Sequence, residues 1–183
     1  MGLDMYLTKR VFIGAQYETR GITGTIALKA KGEPIKVNKK RVSYIIEDAG
    51  YWRKANAIHQ WFVTNVQDGK DDCGEYYVTE DKLRQLLELC NRVLAASKPV
   101  KGKVTNGYRI TAGGEQVPIL EDGETIEDSS VAEELLPTQG GFFFGSTEYN
   151  QYYLEDIRNT KKIIEDALKD AGEGVEFYYS ASW

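Results

Sequence analysis

Polar and apolar residues alternate at the start of the chain. In "LDMYLTKRVFIG", Leu3, Met5 and Leu7 fall on one side of an extended backbone, which predicts a strand. "GITGTIALKAKG" offers a second strand, with Ile22, Thr25 and Leu28 between turn glycines, and "VSYIIEDAG" a third. Then the period changes. "YWRKANAIHQWFVTNV" sets Ala55, Ile58, Phe62 and Val66 on one helical stripe, with His59 and Val63 beside it. A polar turn, "QDGKDDCGE", leads into a short aromatic strand, "YYV". Thr79 then caps a helix that carries acids in its first turn, where the helix dipole favours them. Leu83, Leu86, Leu87, Cys90, Val93 and Leu94 follow the spacing of a helical core face, and Pro99 stands just beyond its end.

Residues 100–140 are less regular. "GYRITAGGEQVPIL" predicts one or two short strands around Gly113 and Gly114, and the acidic run after it is either an exposed loop or a short helix. In "LPTQGGFFFGSTEYNQYY" the expectation is a strand in which Phe142 and Phe144 face one way and Phe143 the other. Gly145 would turn the chain, and Ser146 or Thr147 would cap a helix from about Tyr149 to Ala171. That helix buries Tyr153, Leu154, Ile157, Ile163, Ile164 and Leu168, and "VEFYYSASW" closes the chain as a strand. Both "CGEYYVTED" and "GGFFFGSTE" run glycine, three apolar residues, Ser or Thr, acid, which suggests two β-to-α junctions built alike. Strands at both ends with helices among the later ones make an α+β fold: a mostly antiparallel sheet with about three helices packed on one face. Residues 1–183 are expected to form a single domain.

Composition narrows the class without fixing it. Apolar residues at 42% and charged residues at 28% suit a globular chain, and no apolar run approaches membrane-spanning length. The N-terminus lacks a secretory pattern, and Tyr6 breaks the myristoylation pattern after Gly2, so a cytoplasmic protein is expected. Cys73 and Cys90 are too few for a disulfide framework and read as reduced, non-catalytic thiols. The net charge of −5 divides unevenly, with +6 over residues 1–41 and −11 over the rest.

Candidate chemistry is sparse. His59 is the single histidine, so a Ser-His-Asp or Cys-His site would have to use it. One His and two separated Cys do not make a closed zinc site. Read as a calcium loop from Asp68, the carboxylate-rich turn has Lys70 at the third position and Cys73 where glycine is required. "GFFFGST" has the outline of a phosphate loop but no lysine. No catalytic residue, metal or cofactor is therefore assigned. Two charged segments remain. Lys29, Lys31, Lys36, Lys39, Lys40 and Arg41 are spaced to contact a phosphate backbone without reading sequence. Glu121, Asp122, Glu124, Glu127, Asp128, Glu133 and Glu134 could engage a basic groove on another protein.

"MGLDMYL", "YWRKANAIHQWFV", "CGEYYV", "LLPTQGGFFFGSTEYNQYYLEDI" and "YYSASW" together resemble a family of small, mostly uncharacterised proteins of phages, prophages and mobile elements of gut bacteria. The resemblance covers most of the chain, is least recognisable over residues 12–45 and 97–134, and brings no established active site. It implies an accessory interaction protein that inhibits a host nucleic-acid enzyme, in the manner of counter-defence (anti-CRISPR) proteins that inhibit a Cas9-type RNA-guided nuclease with its guide RNA. The carboxylates of residues 121–134 would then occupy an arginine-rich surface that normally holds DNA. Two alternatives stand beside it. One is a small metal-assisted enzyme acting on nucleotides or nucleic acid through His59 or Asp71, Asp72 and Glu75. The other is a DNA-binding accessory protein using the basic hairpin.

Overall fold

The structure is a computed structural model that describes residues 2–13, 29–35, 38, 41–140 and 147–183. The expected strand around Ile22 and Leu28 and the segment from Phe142 to Ser146 lie outside the described residues. In chain order the elements are β1 (Asp4–Phe12), β2 (Lys29–Ala30), β3 (Glu33–Pro34), β4 (Tyr44–Arg53), α1 (Asn56–Asn65), β5 (Glu75–Val78), α2 (Glu80–Ala96), β6 (Pro99–Ile110), β7 (Gln116–Ile126), α3 (Ser130–Leu135), α4 (Gln151–Lys169) and β8 (Val175–Ser182).

Four strands form one antiparallel sheet in the order β4-β1-β8-β5. Strand alternation divides its residues between two faces. Met5, Leu7, Trp52, Val78, Phe177, Tyr179 and Ala181 are buried on the inner face. The three long helices cover that face with the positions their periodicity marked. Ile58 and Phe62 come from α1, Leu83, Leu86, Cys90 and Val93 from α2, and Leu154, Ile157 and Ile164 from α4, all in one cluster. At about 1.5–3 kcal/mol for each large side chain taken fully out of water, this cluster is the main source of stability. The fold is α+β, as the sequence predicts, with α3 as a short fourth helix.

Thr79 caps α2 as expected, its hydroxyl accepting from the Lys82 amide at 3.2 Å. Two boundaries differ. β4 continues through Tyr51, Trp52 and Arg53, which the helical pattern had drawn into α1. Trp52 pairs with Met5 across the sheet and its indole donates to Thr160 Oγ1 at 2.9 Å, so packing on α4 overrides local pattern. α4 starts later than expected and is capped by Asn150, whose Oδ1 accepts from the Tyr152 and Tyr153 amides. Thr147 does not cap it, so the parallel drawn between the two β-to-α junctions fails at the cap. α4 approaches β4 at Gly50, where any added Cβ would overlap Ile163 Cγ2.

β6 and β7 are the largest departure. The stretch expected to give one or two short strands forms a long two-stranded arm. Its root is held by buried Val104 and Ile126, by Ile126 N–H donating to Tyr149 O at 3.0 Å, and by Glu124 N–H donating to Gln151 Oε1 at 2.9 Å. A register shift between Thr105 and Tyr108 is absorbed at Gly107, whose φ of 94° is open to glycine at little cost.

Candidate functional site

The acidic residues are divided among three elements. Glu121, Asp122 and Glu124 lie on β7, Glu127 and Asp128 follow it, and Glu133 and Glu134 are exposed on α3. Several are already engaged. Glu121 accepts from Tyr152 Oη at 2.6 Å and from Asn106 Nδ2 at 2.7 Å, and these bonds hold its carboxyl below the ordinary range. Asp128 accepts from the Ser130 amide at 2.9 Å, which lowers its pKa as well. Ser129 donates to Glu133 at 2.5 Å. Lysines from β6 and the residue just before it stand opposite Asp122, Glu124 and Glu127. Lys103 meets Asp122 at 2.7 Å, Lys98 meets Glu127 at 2.7 Å, and Lys101 pairs with Glu124 in register. The outward face of the arm therefore carries mixed charge.

That face becomes apolar toward the tip. Asp122 and Leu120 are two residues apart on β7, and the register sets Tyr108 and Ile110 opposite Pro118 and Gln116 farther along it. Tyr108, Ile110 and Leu120 are 57%, 73% and 58% exposed. A two-stranded ribbon gains little from its own packing, so three large apolar side chains left in water on one face of it, with Ile119 also exposed on the other, are unlike scattered surface residues.

Of the basic candidates, Lys31 is described in full. It and Gly32 both have positive φ, 51° and 87°, at the two-residue turn between β2 and β3, so a hairpin is present there. Lys29 is placed by its backbone in β2, and Arg41 donates its amide to Asn38 O at 2.9 Å. Lys36, Lys39 and Lys40 lie outside the described residues.

His59 and Asp71 are brought together. His59 Nδ1 accepts from the Tyr179 hydroxyl at 2.7 Å, and its Nε2 meets Asp71 Oδ1 at 3.0 Å. Burial raises the Tyr179 pKa, keeping that hydroxyl a donor. With both ring nitrogens engaged, His59 works as a latch tying α1 to β8 and to the 67–74 turn. The other two acids of the proposed metal turn point elsewhere. Asp72 takes Gly74 N–H and Tyr76 Oη, while Glu75 pairs with Arg10. Among the described residues no group of three His, Cys, Asp or Glu is placed to hold a metal ion. Burial pushes the Cys90 thiol up to about 12, as expected of an inert core cysteine.

Two features were missed from the sequence. The outer face of the four-stranded sheet carries Tyr6, Tyr44, Tyr51, Tyr77 and Tyr178, with Arg10 stacked over Tyr178 at 4.0 Å. Asp4, Asp48, Glu75 and Glu176 outnumber Arg10 and Arg53 there, which opposes a phosphate backbone. The second is a polar cleft between the β4–α1 junction and the first turns of α4. It gathers residues from four stretches of chain, so no local motif announces it.

No family model, curated protein or solved structure matches this chain. No helix among the described residues is long and apolar enough to cross a membrane.

Proposed function

We propose that the protein is a non-enzymatic interaction protein that docks on a nucleic-acid enzyme through the outward face of the β6–β7 arm and obstructs it. The apolar cluster of Tyr108, Ile110 and Leu120 carries this reading, because exposed aromatic and aliphatic side chains on a projecting ribbon supply the anchor that an interface needs. Asp122, Glu124 and Glu127 flank the anchor and would steer it toward an arginine-rich surface, releasing their lysine partners as they bind. A Cas9-type nuclease with its guide RNA has such a surface where it holds DNA, and agrees with the resemblance noted in the sequence.

The contributions of anchor and charge separate in a kinetic binding assay against an immobilised guide-loaded nuclease. Replacing Ile110 and Leu120 together by Asp should speed dissociation at least tenfold. Reversing Asp122, Glu124 and Glu127 to Lys should chiefly slow association and remove its salt dependence. Glu121 is left intact because it anchors the arm to Tyr152. Binding unaffected by the Asp pair would eliminate the arm as the docking surface.

A further inference from the structure

β4 is an edge strand of the four-stranded sheet, 10 residues long and paired by β1 on one side only. The direction of its remaining main-chain groups follows from the ladder. Lys54 N–H donates to Leu3 O at 2.8 Å at one end of the pair, and Ile13 N–H donates to Ser43 O at 2.9 Å at the other. Hydrogen-bonded and non-hydrogen-bonded pairs alternate in an antiparallel ladder. Counted in from Ile13 and Ser43, the pairs Val11 with Ile45 and Lys9 with Glu47 are hydrogen-bonded. The amides and carbonyls of Tyr44, Ile46 and Asp48 therefore point away from β1, and none has a hydrogen-bond partner among the described residues. Farther along, Tyr51 O already accepts from Asn159 Nδ2 at 3.5 Å, so the open part of the edge runs from Tyr44 to Asp48.

The same three residues carry their side chains on the uncovered face of the sheet, opposite Phe12, Arg10 and Thr8. Tyr44 and Ile46 are 45% and 60% exposed. The other carboxylates of that face are engaged: Asp4 by the Tyr51 hydroxyl, Glu176 by the Tyr178 hydroxyl at 3.0 Å, and Glu75 by Arg10. Asp48 has neither an ion pair nor a hydrogen bond among the described residues. On the other face of the strand, Glu47 stays half-exposed beside Lys9. An open main-chain edge thus coincides with two exposed large side chains followed by two adjacent carboxylates.

Charge on a sheet edge selects what can pair with it. A second copy added along this edge would bring the Glu47 and Asp48 carboxylates of both chains together, and like charges across a strand pair are destabilising. A phosphate backbone is opposed for the same reason. A strand that carries Lys or Arg gains instead. The Tyr6 and Tyr51 rings, with centroids 5.5 Å apart on the same face, add surfaces over which a cation is attracted. We propose that the open edge of β4 takes up an extended, lysine- or arginine-bearing segment of a partner protein as a fifth strand. Its apolar side chains would lie beside Tyr44 and Ile46 and its cation beside Asp48. This site does not rest on the arm.

Fluorescence anisotropy with the full chain and labelled short peptides tests it. One peptide alternates Val with Lys and a second alternates Val with Glu. A third repeats the Val–Lys sequence with every amide N-methylated, which keeps the charges and removes the main-chain donors. The Val–Lys peptide should bind, and the other two should each bind at least about tenfold more weakly. Ile46→Pro removes an outward donor without touching the ladder to β1, and Asp48→Lys reverses the open charge; each should weaken the Val–Lys peptide about tenfold, with folding checked by thermal melting. The Ile110→Asp, Leu120→Asp arm variant should bind this peptide as the wild type does, so the edge and the arm are tested separately. No binding of the Val–Lys peptide overturns the proposal, as does a Val–Glu or N-methylated peptide that binds as tightly. Sedimentation that shows a wild-type dimer dissolved by Ile46→Pro would give the edge to a second copy and overturn it too.

Discussion

Replacing Tyr179 by Phe separates a structural His59 from a catalytic one. The ring is fully buried and stacks on Phe62 with centroids 3.9 Å apart and planes 5° from parallel, and Phe preserves that packing. The change removes only the hydroxyl that donates to His59 Nδ1 at 2.7 Å. The lost bond is worth about 0.5–1.5 kcal/mol, and the buried nitrogen left without a donor adds about 1–3 kcal/mol. A loss near 2 kcal/mol lowers the melting temperature of a chain this size by roughly 4–8 °C. His59→Leu should cost a similar amount, because it leaves the hydroxyl unpaired. The double variant removes both partners, so it should cost clearly less than the two changes added, with a coupling of about 1 kcal/mol or more. Melting curves of the four proteins measure the cycle. Strict additivity, or a Tyr179→Phe protein that melts with the wild type, would refute the latch.

Two further stability predictions follow from single positions. Gly50→Ala forces a methyl into Ile163 Cγ2, a branch fixed on α4, and should destabilise by about 1–3 kcal/mol; truncating Ile163 to Ala should remove most of that penalty, as chemical denaturation of the pair will read. Burial pushes the folded pKa of Asp156 up to about 7, from an ordinary value of 3.8, so the folded state holds the extra proton between those values. Stability should therefore fall as pH rises through roughly 4 to 7, by up to about 1.4 kcal/mol per pH unit from this group alone. Asp156→Asn should flatten that fall and match the wild type near pH 4, and identical pH profiles for the two proteins would contradict the assigned burial.

What the sequence made legible was what the core dictates. Leu3, Met5 and Leu7 and the stripe from Leu83 to Val93 have the right periods because one side of each element meets the same cluster. Thr79 was legible because its side chain serves the helix immediately after it. Trp52 was misassigned because an aromatic pair beside a helical stripe fits either period, and only Met5 and Thr160 decide the matter. The arm carries weak alternation since only Val104 and Ile126 are buried along it, so its length emerges from pairing of residues far apart in sequence. The acidic segment was legible as composition but not as an electrostatic surface, because Lys98, Lys101 and Lys103 lie about two dozen residues before their partners. The cleft depends on Arg53, Asn56 and Asp156 meeting across the fold, and no spacing records that.

The central claim is inhibition through the arm. Its most direct measurement is DNA cleavage by a guide-loaded Cas9-type nuclease titrated with the purified protein, run in parallel with the Ile110→Asp, Leu120→Asp double variant whose melting temperature matches the wild type. The wild type should suppress cleavage at a stoichiometric ratio, and the double variant should need at least tenfold more protein. Full cleavage at every concentration of the wild type, or equal suppression by the double variant, would contradict the account.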